Sequence, residues 1–382
     1  MKKIAILTTF LLLICLPFKQ HSIASEKQWE MKSTHQCDAI AHPYYHIPKD
    51  VIVGILDTGL DYNHCDLSGH LWDGGKNYPN HGYDFTSPDN DPMSGNPHGT
   101  FVAGIIAQMA PNAKIAGLQI IKDSYNPSMF TAAIKFAIKQ NIKILNASIA
   151  FQDPDISSPE IRSAIQLYQD FGGLLVIAAG NDSNDNDENP KYPASYSYDC
   201  IISVAALDDS DDLAEFSNYG EKTVDIAAPG VLIEGPTTRN KRAAHSGTSA
   251  SAPIVSALAA YIWGINQNLN AQEVKKIIID NCDYLDSLDK KLISGKINFL
   301  KAFIATIGKI QSESICYKGK MMIKQNLING WQQIVLKDMP NVHFSEKSTI
   351  IITGDQSFEK AKSEIDFWIK KNMLSKECEC KK

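Results

Sequence analysis

Short apolar runs, each closed by small or polar residues, recur at 51–56, 114–121, 143–149, 174–179 and 201–206, with a shorter one at 224–227. The first, Val-Ile-Val-Gly-Ile-Leu, is apolar throughout, the pattern of a strand covered on both faces. Stretches of helical period separate the runs. One at 128–140 places Met129, Ala132, Ala133, Phe136 and Ala137 on a single stripe. Another opens at Ser158-Pro159-Glu160 and stops at Gly172-Gly173, and Asn270-Ala271-Gln272-Glu273 carries a capping-box pattern. Strand and helix alternating at this spacing predict right-handed βαβ units. The expected fold is therefore α/β and doubly wound, a mainly parallel sheet with helices on both faces.

Three chemically distinctive frames fall at the ends of these elements. The first strand ends in Asp57-Thr58-Gly59, and an acid at the carboxyl end of a parallel strand lies where open α/β sheets keep their active sites. The stretch 61–96 is rich in Gly, Pro, Asn and Asp and reads as loops, after which a helix over 98–108 begins at His98. The third frame is Ser246-Gly247-Thr248-Ser249-Ala250-Ser251-Ala252-Pro253, followed by an apolar run to 265. It reads as a tight turn delivering Ser249 to the first turn of a buried helix. Unpaired N–H groups and the positive end of the helix dipole would there meet charge developing on an oxygen. Taken alone, Ser249 reads more readily as a helix cap. Taken with an aspartate and a histidine in such frames, it reads as a nucleophile. A serine hydroxyl attacks only when a base removes its proton, and a carboxylate holds the histidine in the tautomer that can do so.

These frames make the sequence resemble the subtilisin family of serine proteases, over about residues 48–305. Val53-Gly54-Ile55-Leu56-Asp57-Thr58-Gly59, His98-Gly99-Thr100 and Gly247-Thr248-Ser249-Ala250-Ser251-Ala252-Pro253 are similar to the family's aspartate, histidine and serine motifs. Ala178-Ala179-Gly180-Asn181 is similar to the segment whose asparagine helps form the oxyanion hole. The resemblance implies a subtilisin-like fold with a triad of Asp57, His98 and Ser249 and with Asn181 in the oxyanion hole. It also implies that Ser148, Ile149, Ala150, Ala179, Gly180 and Tyr192 bind substrate. The implied activity is serine endopeptidase, with protein or peptide substrates and no required cofactor.

Several positions depart from the family pattern. Phe101 stands where a second histidine is usual, Ala150 and Phe151 replace glycines of the substrate strand, and Ala250 replaces a methionine beside the nucleophile. Helix 98–108 runs almost directly into Met109-Ala110-Pro111, leaving no room for a calcium-binding loop. The acidic stretch 182–188 offers oxygen ligands but lacks the glycine and closing glutamate of an EF-hand loop, so calcium is not indicated and no metal site is assigned. As a rim of the substrate pocket that stretch would favour Lys or Arg; as a solvated loop it would select nothing.

Two other classes can be weighed. An aspartic protease needs two aspartates sharing a proton, and there is one Asp-Thr-Gly here and no Asp-Ser-Gly. A protease-like binding protein would usually lack one of the catalytic residues, and all are present.

The ends of the chain bear on where it acts. Lys2-Lys3, an apolar run over 4–18 and small residues around Ser22-Ile23-Ala24 have the layout of a secretory signal peptide over 1–24. The run is shorter than the roughly 20 residues of a spanning helix, so export to a secreted or periplasmic location is expected, with no stable membrane span after cleavage. Residues 25–47 carry little pattern and are expected to lie over the surface of a peptidase domain at 48–310; they are too few for a folded inhibitory propeptide. Seven cysteines would remain, an odd number that leaves at least one free or paired between chains. Cys378 and Cys380 have no partner cluster that would make them a zinc site. A net charge of −6 without a basic patch argues against nucleic acid as a partner. The stretch 311–382 reads as a small α+β extension. It has strand-like runs at 333–336 and 349–353, then a helix striped by Phe358, Ala361, Ile365, Trp368 and Ile369.

Overall fold

The structure, a computed structural model, describes residues 29–41, 48–122, 126–149 and 159–308, together with the backbone of four strands between 312 and 354. Two short helices come first, α1 (Trp29–Ser33) and α2 (Gln36–Ala41). The sheet then builds from β1 (Val51–Asp57), β2 (Gly82–Asp84), β3 (Ala113–Gln119), β4 (Ile144–Ala147), β5 (Leu174–Ala178), β6 (Ile201–Leu207) and β7 (Ile226–Pro229). Between the strands run α3 (Pro97–Met109), α4 (Pro127–Lys139) and α5 (Pro159–Phe171). A hairpin of β8 (Ile233–Thr237) and β9 (Lys241–His245) leads into α6 (Thr248–Ile265), followed by α7 (Ala271–Asp280) and α8 (Phe299–Gly308).

The seven strands lie in the order β2-β3-β1-β4-β5-β6-β7, and every neighbouring pair is parallel. This is the doubly wound sheet that the apolar runs predict. Because successive residues of a strand point to opposite faces, Val53 and Ile55 enter a core shared with α3, α6, α7 and α8. Ile52 and Leu56 face a second core built with α4 and α5. Winding reverses at β1, which has β3 on one side and β4 on the other. The carboxyl end of β1 is therefore a switch point, where such sheets open a crevice.

Helix α6 crosses the centre, with every residue from Ala250 to Gly264 buried. It is long and apolar enough to cross a membrane by composition, but 89% of that window is buried inside the fold. Burying each of its large aliphatic side chains contributes about 1.5–3 kcal/mol, so the mount of Ser249 is among the firmest parts of the molecule.

Two regions depart from the sequence reading. The N-terminal segment does not simply lie over the surface, because α1, α2 and the turn between them bury Glu30, Thr34, Gln36 and Ala39. Polar groups hold it. Trp29 Nε1 donates to the Val231 carbonyl at 3.3 Å, Gln36 Nε2 to that of Met109 at 3.2 Å, and the Phe299 N–H to that of Thr34 at 2.8 Å. Lys296 Nζ and Ser33 Oγ both reach the Asp211 carboxylate, at 2.7 and 3.0 Å. The hairpin was also unforeseen. Its turn places Arg239 and Asn240 at φ 63° and 54°, where glycine would have announced it, and β9 is exposed at every residue.

After α8, strands β10 (Ser312–Tyr317), β11 (Lys320–Asn326), β12 (Gln332–Leu336) and β13 (Ile351–Gly354) pair in sequence as an antiparallel sheet. The expected run at 333–336 falls on β12, and residues 351–353 of the run expected at 349–353 fall on β13. The helix expected through Phe358 and Trp368 lies outside the described residues, as do Cys378 and Cys380. Among the described side chains, Cys37, Cys65, Cys200 and Cys282 are all unpaired thiols.

Candidate active site

At the end of β1, the Asp57 side chain is 1% exposed and its Oδ1 accepts from His98 Nδ1 at 2.7 Å. The same oxygen accepts from the Thr58 N–H at 2.7 Å. His98 stands in the first turn of α3, which Asn96 caps by accepting from the His98 N–H and Pro97 opens. The loop after β1 and this helix start are knitted together. Thr58 Oγ1 accepts from the Gly99 N–H at 3.1 Å, and Thr100 Oγ1 from the Asp61 N–H at 2.8 Å. A Cβ on Gly99 would sit 2.1 Å from the Gly59 carbonyl oxygen, and Gly59 itself has φ 91°. The glycines of both motifs are thus what lets the aspartate and histidine segments touch.

The His98 side chain is 39% exposed. Its burial disfavours the imidazolium, but the charge of the Asp57 carboxylate and its hydrogen bond more than offset this, so the pKa is raised above the ordinary 6.5. Since Asp57 accepts at Nδ1, the neutral ring carries its proton there and leaves Nε2 free as a base.

Ser249 lies in the first turn of α6, where its N–H is one of the unpaired helix-start donors. Its Oγ donates to the Ser148 carbonyl at 3.2 Å, and Ser148 Oγ donates back to the Ser249 carbonyl at 3.0 Å. Pro253 explains the second bond. It stands four residues on and has no N–H to offer the Ser249 carbonyl, so Ser148 fills that place. Asn181 Oδ1 accepts from the Thr248 N–H at 2.8 Å and from Thr248 Oγ1 at 2.9 Å. That pins the amide and leaves its Nδ2 side facing the site. A cavity of about 270 Å³ brings His98, Asn181 and Ser249 together with Pro97, Phe101, His245, Ser246 and Ala250.

The other residues named for substrate binding divide. Ser148 touches Ser249, and Ala179 and Gly180 are buried behind Asn181, with the Gly180 N–H donating to Thr248 Oγ1 at 3.3 Å. Ile149 is buried in the core on the α4/α5 face, and Tyr192 packs partly against that core with its ring 4.5 Å from that of Tyr196. Ala150 lies outside the described residues. His245 was missed, because the polar strand it ends carries no apolar period to draw the eye, whereas Ser246 opens the frame already read around Ser249.

The carboxylates of the acidic stretch 182–188 that make contacts are engaged within the protein. Asp182 pairs with buried Lys191 at 2.8 Å, and Asp187 accepts from Thr223 Oγ1 at 2.6 Å and the Lys222 N–H at 3.0 Å. His64, Cys65 and Asp66 have ligand-type atoms within 4.8 Å of one another. They fit a metal poorly. His64 Nδ1 accepts from the Asp66 N–H at 3.1 Å, its Nε2 faces the Lys241 carbonyl at 2.9 Å, and Asp66 pairs with Arg242.

A doubly wound sheet with a carboxylate and histidine bonded at its switch point, and a serine at the start of its central helix, defines a subtilisin-like α/β protein. The chain belongs to the subtilase family, whose sequence profile matches residues 48–299. It is 34% identical over 262 residues to a thermophilic serine proteinase of Bacillus sp. (strain AK1), covering 65% of this chain and 61% of that one. It is 31% identical to thermitase of Thermoactinomyces vulgaris, covering 65% of this chain and 87% of that one. Among solved structures, a cold-adapted subtilisin-like serine proteinase superposes with a TM-score of 0.56 at 26% identity, over 66% of this chain and 92% of that one.

Proposed function

We propose that this chain is an exported serine endopeptidase. The observation that carries the reading is the 2.7 Å bond from His98 to buried Asp57, opening on the same cavity as Ser249. When a peptide enters, the Ser249 hydroxyl turns from the Ser148 carbonyl to His98 Nε2. Nε2 takes the proton as Oγ bonds to the scissile carbonyl carbon. The carbonyl oxygen becomes an oxyanion, held by the Asn181 amide and the Ser249 N–H at the positive end of α6. His98 then protonates the leaving amine as the C–N bond breaks, and a water, deprotonated by the same nitrogen, hydrolyses the acyl-enzyme. Asp57 keeps the ring oriented throughout and stabilises the imidazolium whenever Nε2 holds the proton. The chemistry balances without a metal or cofactor.

Export rests on the basic, apolar and small-residue segments of 1–24. Purified protein with intact Ser249 is expected to cleave a peptide library, and the Ser249→Ala protein to be slower by roughly 10⁴- to 10⁶-fold. Equal cleavage by the two proteins would overturn the assignment. Covalent labelling of Ser249 by a phosphonylating reagent would separate it from an aspartic mechanism or a binding protein.

A further inference from the structure

Three residues, Gly230, Val231 and Leu232, join β7 to β8, and each is tied to a different partner. The Gly230 carbonyl accepts from the Gly247 N–H at 2.8 Å, and the Leu232 N–H donates to Ser246 Oγ at 2.9 Å. Both partners belong to the turn that delivers Ser249 to the start of α6. The middle residue is held from elsewhere. Trp29, at the head of α1, donates from Nε1 to the Val231 carbonyl at 3.3 Å. The proposed chemistry uses none of these bonds, yet two of them end on residues that open its nucleophile's frame.

The link is strained. Leu232 has φ 53°, in the left-handed region that a residue with a Cβ occupies only where its surroundings hold it there. Its side chain is 67% exposed, so no burial of its own offsets that cost. On one side the sheet holds the link, through the Gly230 N–H to the Leu207 carbonyl at 2.9 Å. Gly230 also packs so closely that a Cβ there would lie 2.3 Å from Ser251 Oγ of α6. On the other side the anchor is Trp29, whose side chain packs against the core shared with α3 and α6. Release of the Val231 carbonyl would let Leu232 relax toward negative φ and carry its N–H away from Ser246. A helix start aims its N–H donors only as well as the turn before it is placed, and a shift of about 1 Å at a reacting group is costly.

We infer that Trp29 is a positioning residue of the active site, acting through Val231 and Leu232 to hold the Ser246–Gly247 turn and with it the Ser249 N–H and hydroxyl. That role rests on the endopeptidase reading of the same site. The indole is not among the residues that line the cavity. What it supplies is a fixed end for a strained link, so its effect falls on kcat, where alignment counts, rather than on substrate affinity.

The test reads kcat and KM on one internally quenched peptide, with each protein well below its own Tm and its active sites counted by the phosphonylating reagent. Trp29→Phe keeps the apolar body of the side chain and removes its N–H. Its kcat is expected to fall about fivefold, the worth of one hydrogen bond, with KM changed by less than about twofold. In a Leu232→Gly background the same substitution is expected to change kcat by less than about twofold, because glycine holds φ 53° unaided. Ser33→Ala loosens the strap at its Asp211 anchor and leaves the Val231 bond alone, so its kcat is expected to stay within about twofold of the unmodified enzyme. An unchanged kcat in Trp29→Phe would overturn the inference, as would a fall that persists in full in the Leu232→Gly background or is matched by Ser33→Ala. Should Trp29→Phe fail to fold, Leu232→Val decides with the strap intact. A β-branched residue resists the left-handed region, so kcat should fall by about fivefold, and no fall would overturn the inference. Failure of the endopeptidase reading looks different, because none of these proteins would then cut the peptide in a Ser249-dependent manner.

Discussion

The α3–α6 junction and the N-terminal strap of α1 and α2 both bury polar side chains, and they are held in opposite ways. At the junction an apolar scaffold comes first. Helix α6 is buried along nearly its whole length, and a few hydrogen bonds then aim Asp57, His98 and Ser249 across its end. In the strap the order is reversed. Helices of five and six residues are too short to stand on propensity, and they are docked by Trp29, Thr34, Gln36 and Ser33 through polar bonds to distant backbone and to Asp211. Where packing supplies the rigidity, polar groups are released for chemistry. Where polar groups supply the attachment, most of them are spent on it.

That contrast is tested most severely at Asp57. Asp57→Asn should leave the scaffold standing, because Asn retains the shape and α6 does not depend on it. Activity should fall by roughly 10⁴-fold, since an amide no longer enforces the required histidine tautomer. The pH profile should move as well. His98 is the base, so kcat/KM falls as acid protonates it, and in the unmodified enzyme that happens through a pKa raised above 6.5. Removing the carboxylate leaves the burial that disfavours the imidazolium, so the acid limb should shift to lower pH. A residual pH profile identical to that of the unmodified enzyme would mean that Asp57 does not govern His98. The sign for stability is opposite to that for activity. The raised pKa contributes stability that is full below the ordinary histidine value and is lost as pH rises through the raised one.

A smaller effect is expected at Asn181. Its Oδ1 is tied to Thr248, so Asn181→Ala removes both an oxyanion donor and an anchor of the α6 start. A fall in kcat of roughly 10²- to 10³-fold with KM little changed is expected, because the donor acts where charge develops. A rise in KM with kcat intact would instead make Asn181 a ground-state contact.

The same contrast decides what could be read from the chain. The sheet and the mount of Ser249 were legible because strands buried on both faces and a wholly buried helix must be apolar, and Asp57, His98 and Ser249 stand at their ends. The hairpin was not, since β9 is Lys-Arg-Ala-Ala-His with no apolar alternation and its turn uses Arg239 and Asn240. His245 went unseen with it. The strap was illegible for a related reason: Glu30, Thr34 and Gln36 are residues that composition assigns to the surface, and their burial is made tolerable by partners no pattern announces, the Gln108 amide for Glu30, the Glu30 carbonyl for Thr34 and the Met109 carbonyl for Gln36.

Glu30 is where that tolerance is thinnest, and there the smallest effect is expected. Its Oε1 accepts from Gln108 Nε2 at 3.3 Å, while its buried Oε2 has no partner among the described residues. Burial pushes its pKa up from 4.5 and nearby Glu234 adds to this, against hydrogen bonds from its own backbone and Gln108 and the more distant charge of Arg242. A carboxyl whose pKa is raised by folding contributes stability that is full below its unfolded pKa and is lost as pH rises through the folded one. Once pH exceeds that raised value the strap carries a buried charge that weakens its docking. Glu30→Gln keeps the shape and removes that charge, so Tm should rise by about 2–4 °C near pH 8 and change little near pH 4, where the carboxyl is already protonated. Equal shifts at the two pH values would make the effect one of packing. A loss of Tm near pH 8 would mean that the ionised carboxylate is used, and that the strap is held by charge after all.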